Sequence, residues 1–326
     1  MIITQTPLRI SFAGGGTDFR EFFKKHGGAV VSSAIDKYVY TIVKKRFDKR
    51  IYINYSQKEI VDSVDEIQHE LVREAMRKTG VKDGIEISFL ADIPSEGSGL
   101  GSSSSVTVGI LNALYHYQGV TVPAERLAEE ACEIEIDICG KPIGVQDQYI
   151  AAFGGLRFFD FRTDGSVVPV KLNTNDSLRE DLDAHLMLFF TGKTRKAETI
   201  LSEQRENIPE KEKILCQMAE RARQLKDALE AGDYYAVGRA MEEGWEHKKK
   251  LASKISNGEI DSIYEKALAA GAQGGKITGA GGGGFCLLFV EPSKRQAVRE
   301  TLSDLQEMPF HLERDGSKVI FNTGQR

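Results

Sequence analysis

Apolar and polar residues alternate in several stretches of the first 161 residues, a pattern typical of β-strands with one buried face. These stretches are residues 1–12, 38–55, 85–91 and 156–161. In other stretches apolar residues recur every three or four positions, which predicts amphipathic helices. The helical stretches are residues 63–79, 103–118 and 124–139. The first half of the chain is therefore predicted to combine strands and helices.

A polar stretch at residues 173–183 separates this half from a second, mostly helical one. We place a domain boundary there, which divides the chain into residues 1–183 and 184–326. After a strand pattern at 185–190, the second half is predicted to contain helices at 194–206, 210–231, 233–254 and 259–270, then a strand at 285–290, a helix at 293–306 and a hairpin around Asp315-Gly316. Helices clustered late among mixed elements predict two α+β domains, with a ligand site at their junction.

Composition excludes several function classes. The 326 residues carry a formal charge of −5, which argues against a nucleic-acid binder, and no apolar stretch approaches the roughly 18 residues of a membrane span. We interpret the basic run Lys248–Lys250 as the solvated side of a helix. The four cysteines show no Cys-x-x-Cys spacing, and the chain starts in a strand pattern without a signal peptide, so we expect a cytoplasmic protein.

The segment from Pro94 to Ser105 combines three glycines with six serines, between a strand pattern and a helical one. Glycine lets a backbone adopt left-handed angles and approach a ligand closely, and the serines are predicted to cap the helix that follows. The start of a helix attracts anions, so we predict a phosphate-binding loop. A serine-rich surface linker is the alternative, which the flanking strand and helix disfavour. The candidate phosphate ligands are Pro94, Gly97, Gly99, Leu100, Gly101, Ser102, Ser103 and Ser104.

Two familiar nucleotide motifs fail on their context. Gly192-Lys193-Thr194 resembles the end of a Walker A loop, but Met187 stands where that loop needs its first glycine. The string Gly279-x-Gly281-x-x-Gly284 fits a dinucleotide fingerprint, but a strand pattern follows it instead of a helix.

Three glycine-bearing segments together resemble the motifs of the GHMP small-molecule kinases. They are Pro7–Asp18, Gly99–Ser103 and Lys276–Phe285, which occur in the family's order and span nearly the whole chain. The resemblance implies an α+β two-domain fold, with an N-terminal domain like ribosomal protein S5 domain 2 and a C-terminal ferredoxin-like domain. It also implies a soluble kinase that uses ATP and Mg²⁺ and acts as a monomer or homodimer on a small molecule.

Two segments narrow the resemblance to the branch with heptose 7-phosphate kinases and the kinase part of fucokinases. They are Ala13–Asp18 and Gly144–Gly155. Galactokinases carry Gly-Glu-His where this chain has Gly14-Gly15-Gly16, which puts galactose in doubt. The expected activity is therefore phosphorylation of D-glycero-D-manno-heptose 7-phosphate at its anomeric hydroxyl. An L-fucokinase or other hexose 1-kinase is the alternative, and a non-catalytic sugar sensor is a remote one.

Within this resemblance, Asp147 matches the catalytic aspartate and Arg9 the basic residue beside it. Asp147 would orient the sugar hydroxyl and accept its proton. An adjacent cation favours a charged carboxylate but weakens it as a base, so orientation alone remains an alternative role. A helix cap for Asp147 and a strand-edge charge for Arg9 also remain open.

Glu135 and Ser103 match the magnesium ligands of the family, a sparse set that Mg²⁺ accepts because it keeps several waters and phosphate oxygens. Helical periodicity alone does not choose Glu135, since Glu130 and Glu135 flank the predicted apolar face of Leu127, Ala131, Ile134 and Ile138 about equally.

The resemblance also implies a sugar site. Asp18 matches a ligand of a sugar hydroxyl, with a helix cap or Asx-turn as the alternative. The remaining candidates are glycine-loop residues Gly15, Gly16, Thr17, Gly281 and Gly282, together with Lys193 and Arg195. We predict that Lys193 and Arg195 hold the 7-phosphate, because arginine suits bidentate phosphate contact, with a solvated turn as the alternative.

Overall fold

A computed structural model describes residues 1–93, 97–172, 176–193 and 197–324. The elements up to residue 171 are β1 (Ile2–Ala13), α1 (Arg20–His26), β2 (Gly28–Lys45), β3 (Ile51–Asn54), β4 (Lys58–Val61), α2 (Glu70–Thr79), β5 (Ile85–Ala91), α3 (Ser102–Tyr117), α4 (Ala124–Cys132), α5 (Gln146–Phe153), β6 (Leu156–Phe161) and β7 (Val167–Lys171). The later elements are α6 (Asp176–His185), β8 (Leu186–Phe190), α7 (Ala197–Glu206), α8 (Ile208–Glu230), α9 (Ala236–Lys248), α10 (Gly258–Ala269), β9 (Ala272–Ile277), β10 (Phe285–Val290), α11 (Arg295–Thr301), β11 (Gln306–Glu307) and β12 (Lys318–Asn322). Short 3₁₀ turns occupy Val64–Glu66 and Pro292–Lys294, and a π-helical turn occupies Glu133–Ile138.

The first sheet is built around the long strand β2, which pairs antiparallel with β1 along its length. The strand order is β12-β1-β2-β5-β3-β4, and β6 and β7 extend from the first half of β2. Successive residues of β2 enter two different cores. Val30 packs among the residues under α2–α5, while Val31 packs among those beneath α8 and the second sheet. A strand buried on both faces loses its alternating pattern, which is why the sequence did not predict the first half of β2.

The second sheet has the order β11-β8-β10-β9, and every residue of β10 is buried. Helices α9 and α10 pack against these strands, while α8 packs on α9 and lies against β1 and β2 of the first sheet. The family's two-domain α+β fold is thus confirmed.

The last described strand corrects one expectation. The hairpin predicted around Asp315-Gly316 is wrong, because β12 pairs antiparallel with β1 in the first sheet, while β11 pairs with β8 in the second. The polar stretch 173–183 also contains more structure than expected, since α6 begins at Asp176. The boundary at 183/184 stays a prediction. Strand β12 lies after this boundary in the chain but pairs with β1 in the first sheet.

None of the helices within the described ranges combines the length and apolar character needed to cross a membrane.

Candidate active site

A cavity of about 770 Å³ opens where β1, the start of α3, α5 and the glycine loop after β9 meet. The cavity is lined by residues of both sheets. Its lining includes residues from all three glycine-bearing segments that the sequence analysis identified. The three motifs therefore converge on one site.

The start of α3 forms the anion-binding end of this cavity. Gly101 precedes the helix in a left-handed conformation, and the N–H groups of Ser102, Ser103 and Ser104 donate to no group of the described chain. Ser105 N–H is the first to bond within the helix, to Gly101 O at 3.0 Å. Free amides at a helix start are suited to phosphate oxygens.

The serine hydroxyls do not cap the helix as predicted. Ser102 Oγ lies 3.2 Å from Ser98 Oγ, and Ser105 Oγ donates to Pro7 O at 2.8 Å. Ser103 Oγ and Ser104 Oγ point instead to Glu135. The hydroxyls thus brace the phosphate loop and leave the helix amides open for a ligand.

Two glycine loops pack against each other at this end. A Cβ on Gly99 would lie 2.6 Å from Thr278 O, and one on Gly279 would lie 2.5 Å from Gly99 Cα. Thr278 Oγ1 also donates to Ser98 O at 3.1 Å. The C-terminal glycine loop therefore packs on the phosphate loop, because neither backbone carries a side chain at the contact.

Arg9 and Asp147 form a bidentate ion pair at the centre of the cavity. Arg9 Nε donates to Asp147 Oδ1 at 2.7 Å and Arg9 Nη2 to Oδ2 at 2.6 Å. Arg9 Nη1 also donates to Gly99 O at 2.5 Å, and Arg9 N–H to Leu100 O at 3.0 Å. A Cβ on Gly101 would lie 3.4 Å from Asp147 Oδ2, so the carboxylate stands beside the amides of α3. Asp147 keeps 23% of its side chain exposed, towards the cavity.

Glu135 is fully buried against the start of α3. Its Oε2 accepts from Ser103 Oγ at 3.3 Å and Ser104 Oγ at 3.2 Å, while its Oε1 has no hydrogen-bond partner among the described residues. Burial raises the pKa of Glu135 to about 7, opposed first by the nearby Thr107 hydroxyl and then by the charge of Lys141. An unpaired oxygen of a buried carboxylate beside an exposed serine hydroxyl suits a hard cation such as Mg²⁺. No cluster of three or more His, Cys, Asp or Glu ligands occurs in the described chain, and Mg²⁺ needs none.

A π-helical turn explains why helical periodicity alone could not choose this glutamate. Glu133–Ile138 widens the helix after α4, so the face predicted from 3.6-residue periodicity rotates. Ile138 is consequently 50% exposed, whereas Glu135 is buried. Glu130 lies elsewhere, with Tyr115 Oη at 2.6 Å and Arg126 Nε at 2.9 Å as donors.

Asp18 lies on the other side of Asp147. It is buried, and it accepts from Gly16 N–H at 2.9 Å and from Gln146 Nε2 at 3.0 Å. Burial raises the pKa of Asp18, with the nearby charge of Asp147 adding to the effect and the Gly16 hydrogen bond opposing it. Gly15 and Gly16 line the cavity beside it. Thr17 does not, because its hydroxyl is buried and bonded to Gly14 O and Ala29 O.

Three buried polar atoms around Asp18 lack partners among the described residues. They are Ser11 Oγ, Gln146 Oε1 and Gln204 Oε1, and all three side chains line the cavity. Buried polar atoms in native proteins normally form hydrogen bonds. This end of the cavity thus offers donors and acceptors for a polyhydroxylated ligand. The sequence contained Ser11 and Gln146 within its motifs, but nothing in the sequence distinguished them.

The predicted second anion site near Lys193 is not assembled by the described residues. Lys193 Nζ pairs with Glu259 at the surface and does not line the cavity. Arg195 lies outside the described residues, as does Pro94 of the phosphate loop. Gly281 and Gly282 pack on Ile255 instead, and the neighbouring Gly279 and Ala280 line the cavity.

Two lysines that the sequence analysis did not assign to the site lie in the cavity wall. Lys248, which we expected to be solvated, is only 6% exposed and donates to Gly279 O. Lys276 in β9 is 7% exposed. Burial lowers the pKa of Lys248 to about 8, with the charge of Arg9 adding to the effect, and burial followed by the charge of Lys248 lowers that of Lys276. A Lys-Lys-Lys run gives no hint of which member faces inward.

Part of the cavity has an aromatic and apolar lining, formed by Tyr55, His69, Leu71 and Val106. The His69 ring stacks on Phe89 and meets the edge of Tyr55. Burial lowers the pKa of His69, which favours its neutral ring. This lining has the chemical character that suits a planar base.

Two family descriptions match this chain, one in its N-terminal part and one in its C-terminal part. The family description "GHMP kinases N terminal domain" matches residues 65–155, and "GHMP kinases C terminal" matches residues 225–306. The chain is 32% identical to D-glycero-alpha-D-manno-heptose 7-phosphate kinase of Campylobacter jejuni, over 96% of this chain and 97% of that protein. It is 28% identical to the L-fucokinase/L-fucose-1-P guanylyltransferase of Bacteroides fragilis, over 92% of this chain and 36% of that one.

Solved structures agree with the sequence comparison. A D-glycero-D-manno-heptose 1-phosphate kinase from Bacteroides thetaiotaomicron superposes with a TM-score of 0.82 at 27% identity, covering 99% of this chain and all of that one. Galactokinase of Lactococcus lactis, crystallised with galactose, has the same fold, with a TM-score of 0.77 at 19% identity over 98% and 95% of the two chains. With three converging glycine motifs, a full-length relative and matching domain descriptions, this chain belongs to the GHMP kinase family.

Proposed function

We propose that this GHMP kinase transfers the γ-phosphoryl group of ATP to the anomeric hydroxyl of a heptose that already carries a phosphate. D-glycero-D-manno-heptose 7-phosphate is the proposed acceptor and heptose 1,7-bisphosphate the product. The observation that carries the proposal is the position of the Arg9–Asp147 pair beside the open amides of α3, with Asp18 and the unpaired polar atoms beyond it.

Asp147 and Arg9 would act directly on the acceptor hydroxyl. Asp147 Oδ2 faces the cavity, so it would orient the hydroxyl towards the γ-phosphorus and accept its proton as the phosphoryl group moves. Arg9 holds both carboxylate oxygens and so fixes the direction of Asp147. An anomeric hydroxyl is more acidic than an ordinary alcohol, so a weak base is sufficient.

The phosphates of ATP would lie on the amides of Ser102–Ser104. The adenine ring of ATP would lie beside Tyr55 and His69. We propose that Glu135 and Ser103 hold Mg²⁺. The ion, when bound, would neutralise charge on the phosphate oxygens.

The acceptor class rests on the other end of the cavity. Ser11, Gln146, Gln204 and Asp18 offer hydrogen bonds that suit a sugar. The two heptose kinases to which this chain is similar are named for acceptors that already carry a phosphate, at position 7 in one and position 1 in the other. L-fucokinase is the second candidate because the fucokinase relative aligns with most of this chain. Because the reaction consumes ATP, we propose a cytoplasmic location.

The proposal is tested by an acceptor panel. Purified protein with Mg²⁺ and ATP is assayed for ADP release with heptose 7-phosphate, heptose 1-phosphate, fucose, galactose and mannose. The largest kcat/KM is expected with heptose 7-phosphate, with ³¹P NMR placing the new phosphate at C1. A larger kcat/KM with fucose would contradict the proposed acceptor, and a product phosphorylated elsewhere would contradict the position.

A further inference from the structure

Four lysine or arginine side chains of the described chain line the cavity, and two of them are already neutralised. Arg9 is paired with Asp147, and Lys141 Nζ lies 2.9 Å from Glu70 Oε1. Lys248 and Lys276 have no carboxylate within ion-pair distance among the described residues. The cavity wall therefore contains two cationic side chains whose charge the described protein does not balance by a direct ion pair.

Burial makes this arrangement costly. Each lysine is more than nine-tenths buried, and an ammonium group without a counter-charge loses much of its hydration energy. Lys248 uses one donor on Gly279 O, whereas Lys276 Nζ bonds to no described group. Most of the donors of the two lysines are thus free to bind a ligand, and two ammonium groups in the wall of one cavity suit a multiply charged anion.

The pair lies close to the loop that carries Gly15 and Gly16. Lys248 ends α9, and Leu251 in the following turn lies 3.5 Å from where a Cβ on Gly16 would stand. The side chain of Lys248 thus enters the cavity next to the loop that carries Gly15 and Gly16. Arg9, Asp18 and Asp147, whose charges act on Lys248, line the same cavity.

Lys276 approaches the same place from the second sheet. It lies two residues before Thr278, the residue that packs on Gly99, and the charges acting on it are those of Lys248, Arg9 and Asp18. Gly279, whose carbonyl accepts from Lys248, packs on Gly99 of the phosphate loop. The two lysines therefore lie in the part of the cavity wall where the Gly15–Gly16 loop and the phosphate loop come together.

We propose that Lys248 and Lys276 form a second phosphate-binding site, beside the loop that carries Gly15 and Gly16. The site replaces Lys193 and Arg195 as the place where a phosphorylated sugar is recognised, and it rests on the proposed function. Two phosphate groups pass this point during the proposed reaction: the one that the acceptor brings and the one that it receives. Both phosphates are anions of the kind that two lysine ammonium groups bind, and the experiment distinguishes them.

The test measures binding without ATP, so it does not depend on turnover. Isothermal titration calorimetry with heptose, heptose 7-phosphate and heptose 1-phosphate is applied to the wild-type protein and to Lys276→Met and Lys248→Met. Each variant is expected to bind one phosphorylated sugar at least tenfold more weakly than wild type and to bind free heptose within threefold. Weaker binding of the 7-phosphate assigns the site to the acceptor's own phosphate, and weaker binding of the 1-phosphate assigns it to the transferred one.

Lys250→Met is the matched control, because Lys250 is an exposed lysine of the same run. It is expected to bind all three sugars like wild type. Lys276→Met breaks no hydrogen bond within the described protein, so it remains informative if Lys248→Met displaces Gly279. A folded Lys276→Met protein, with wild-type circular dichroism and wild-type affinity for both phosphosugars, would overturn the proposal. Failure of the proposed function would appear in the acceptor panel instead, because the wild-type protein itself would then phosphorylate no heptose phosphate.

Discussion

The most consequential residues owe their roles to neighbours that are distant in the chain. Arg9 and Asp147 are 138 positions apart, and their pairing aligns both carboxylate oxygens. Glu135 becomes a metal candidate only because Ser103 and Ser104 face it. The site's chemistry therefore consists of pairs and triplets of residues rather than single ones.

The first prediction concerns Asp147. Changing Asp147 to Asn keeps its size and removes the charge that would accept the proton, so we expect kcat to fall roughly 10²- to 10⁴-fold. Affinity for ATP should change little, because the amides of α3 remain. Steady-state kinetics and nucleotide titration measure both. Asp304→Asn, at an exposed aspartate, changes the net charge equally and should leave kcat as in wild type.

The second prediction concerns pH and Lys248. Its pKa of about 8 means that the free protein loses this positive charge as pH rises above 8. A bound phosphate favours the charged lysine, so the Kd of the phosphorylated sugar should rise by up to about tenfold per pH unit above 8 and change little below it. Arg9, Asp18 and Asp147 are the other charges that act on Lys248, and the charge of Lys248 in turn lowers the pKa of Lys276.

Calorimetric titrations between pH 6.5 and 9.5 would follow this dependence. In the Lys248→Met variant, the Kd of the phosphorylated sugar should depend much less on pH. The Kd of free heptose should not change with pH in wild type. A Kd for the phosphosugar that stays constant up to pH 9.5 in wild type would contradict a charge-based role for Lys248.

At the scale of elements, loops that contact each other determine the site's shape. The phosphate loop before α3 and the glycine loop after β9 fit because Gly99 and Gly279 lack side chains. The first loop connects to the first sheet and the second belongs to the second sheet, so their contact joins the two halves of the catalytic cavity.

The third prediction distinguishes the effect of this loop contact on ATP binding from the effect of backbone strain at a substituted glycine. Gly99→Ala adds a Cβ 2.6 Å from Thr278 O, so the two loops must separate and the KM for ATP should rise more than tenfold. Gly119→Ala is the matched control, because Gly119 has a similar positive φ of 77° but nothing within 4 Å of its Cβ position. The control should lose about 1–2 kcal/mol of unfolding free energy and keep its KM for ATP. Similar KM values in both variants would show that the contact is unimportant for nucleotide binding.

At the scale of the whole molecule, the chain returns at its end to the sheet where it began. Strand β12 pairs with β1, and Ser317 just before it lies 2.8 Å from Thr6 Oγ1 and 3.0 Å from Asn112 Nδ2, measured from its Oγ. The sheet that contains Arg9 therefore depends on the last residues of the chain. The predicted monomer or homodimer remains a prediction.

The fourth prediction tests this dependence. Removing residues 317–326 deletes β12 and the Ser317 contacts, so the melting temperature should fall by several degrees. Hydrogen exchange should accelerate at residues 2–5 of β1, which pair with β12, more than in the strands of the second sheet. Removing residues 325–326 alone keeps β12 and should leave both measurements near wild type. Equal acceleration in both sheets would mean that β12 stabilises the molecule without favouring its own sheet.

The amino-acid sequence by itself predicted the α+β fold class, the glycine turn before α3 and the resemblance of three glycine motifs to one family. These are local signals, since a strand, a glycine turn and a helix start are each encoded within about 20 consecutive residues. It could not determine which serine hydroxyls cap the helix, which of Glu130 and Glu135 faces the loop, or that β12 joins the first sheet. Those outcomes depend on a π-helical turn and on pairing between the two ends of the chain.

The same limit explains the buried lysines. A run of three lysines looks equally solvated at each position, and only the packing of α9 against the Gly279 loop turns Lys248 inward. Lys276 lies in a motif whose glycines drew attention, while its burial follows from the position of β9 beside β10. Charge buried without a counter-charge is a property of tertiary structure, because it requires knowing which charged groups from the rest of the chain come near.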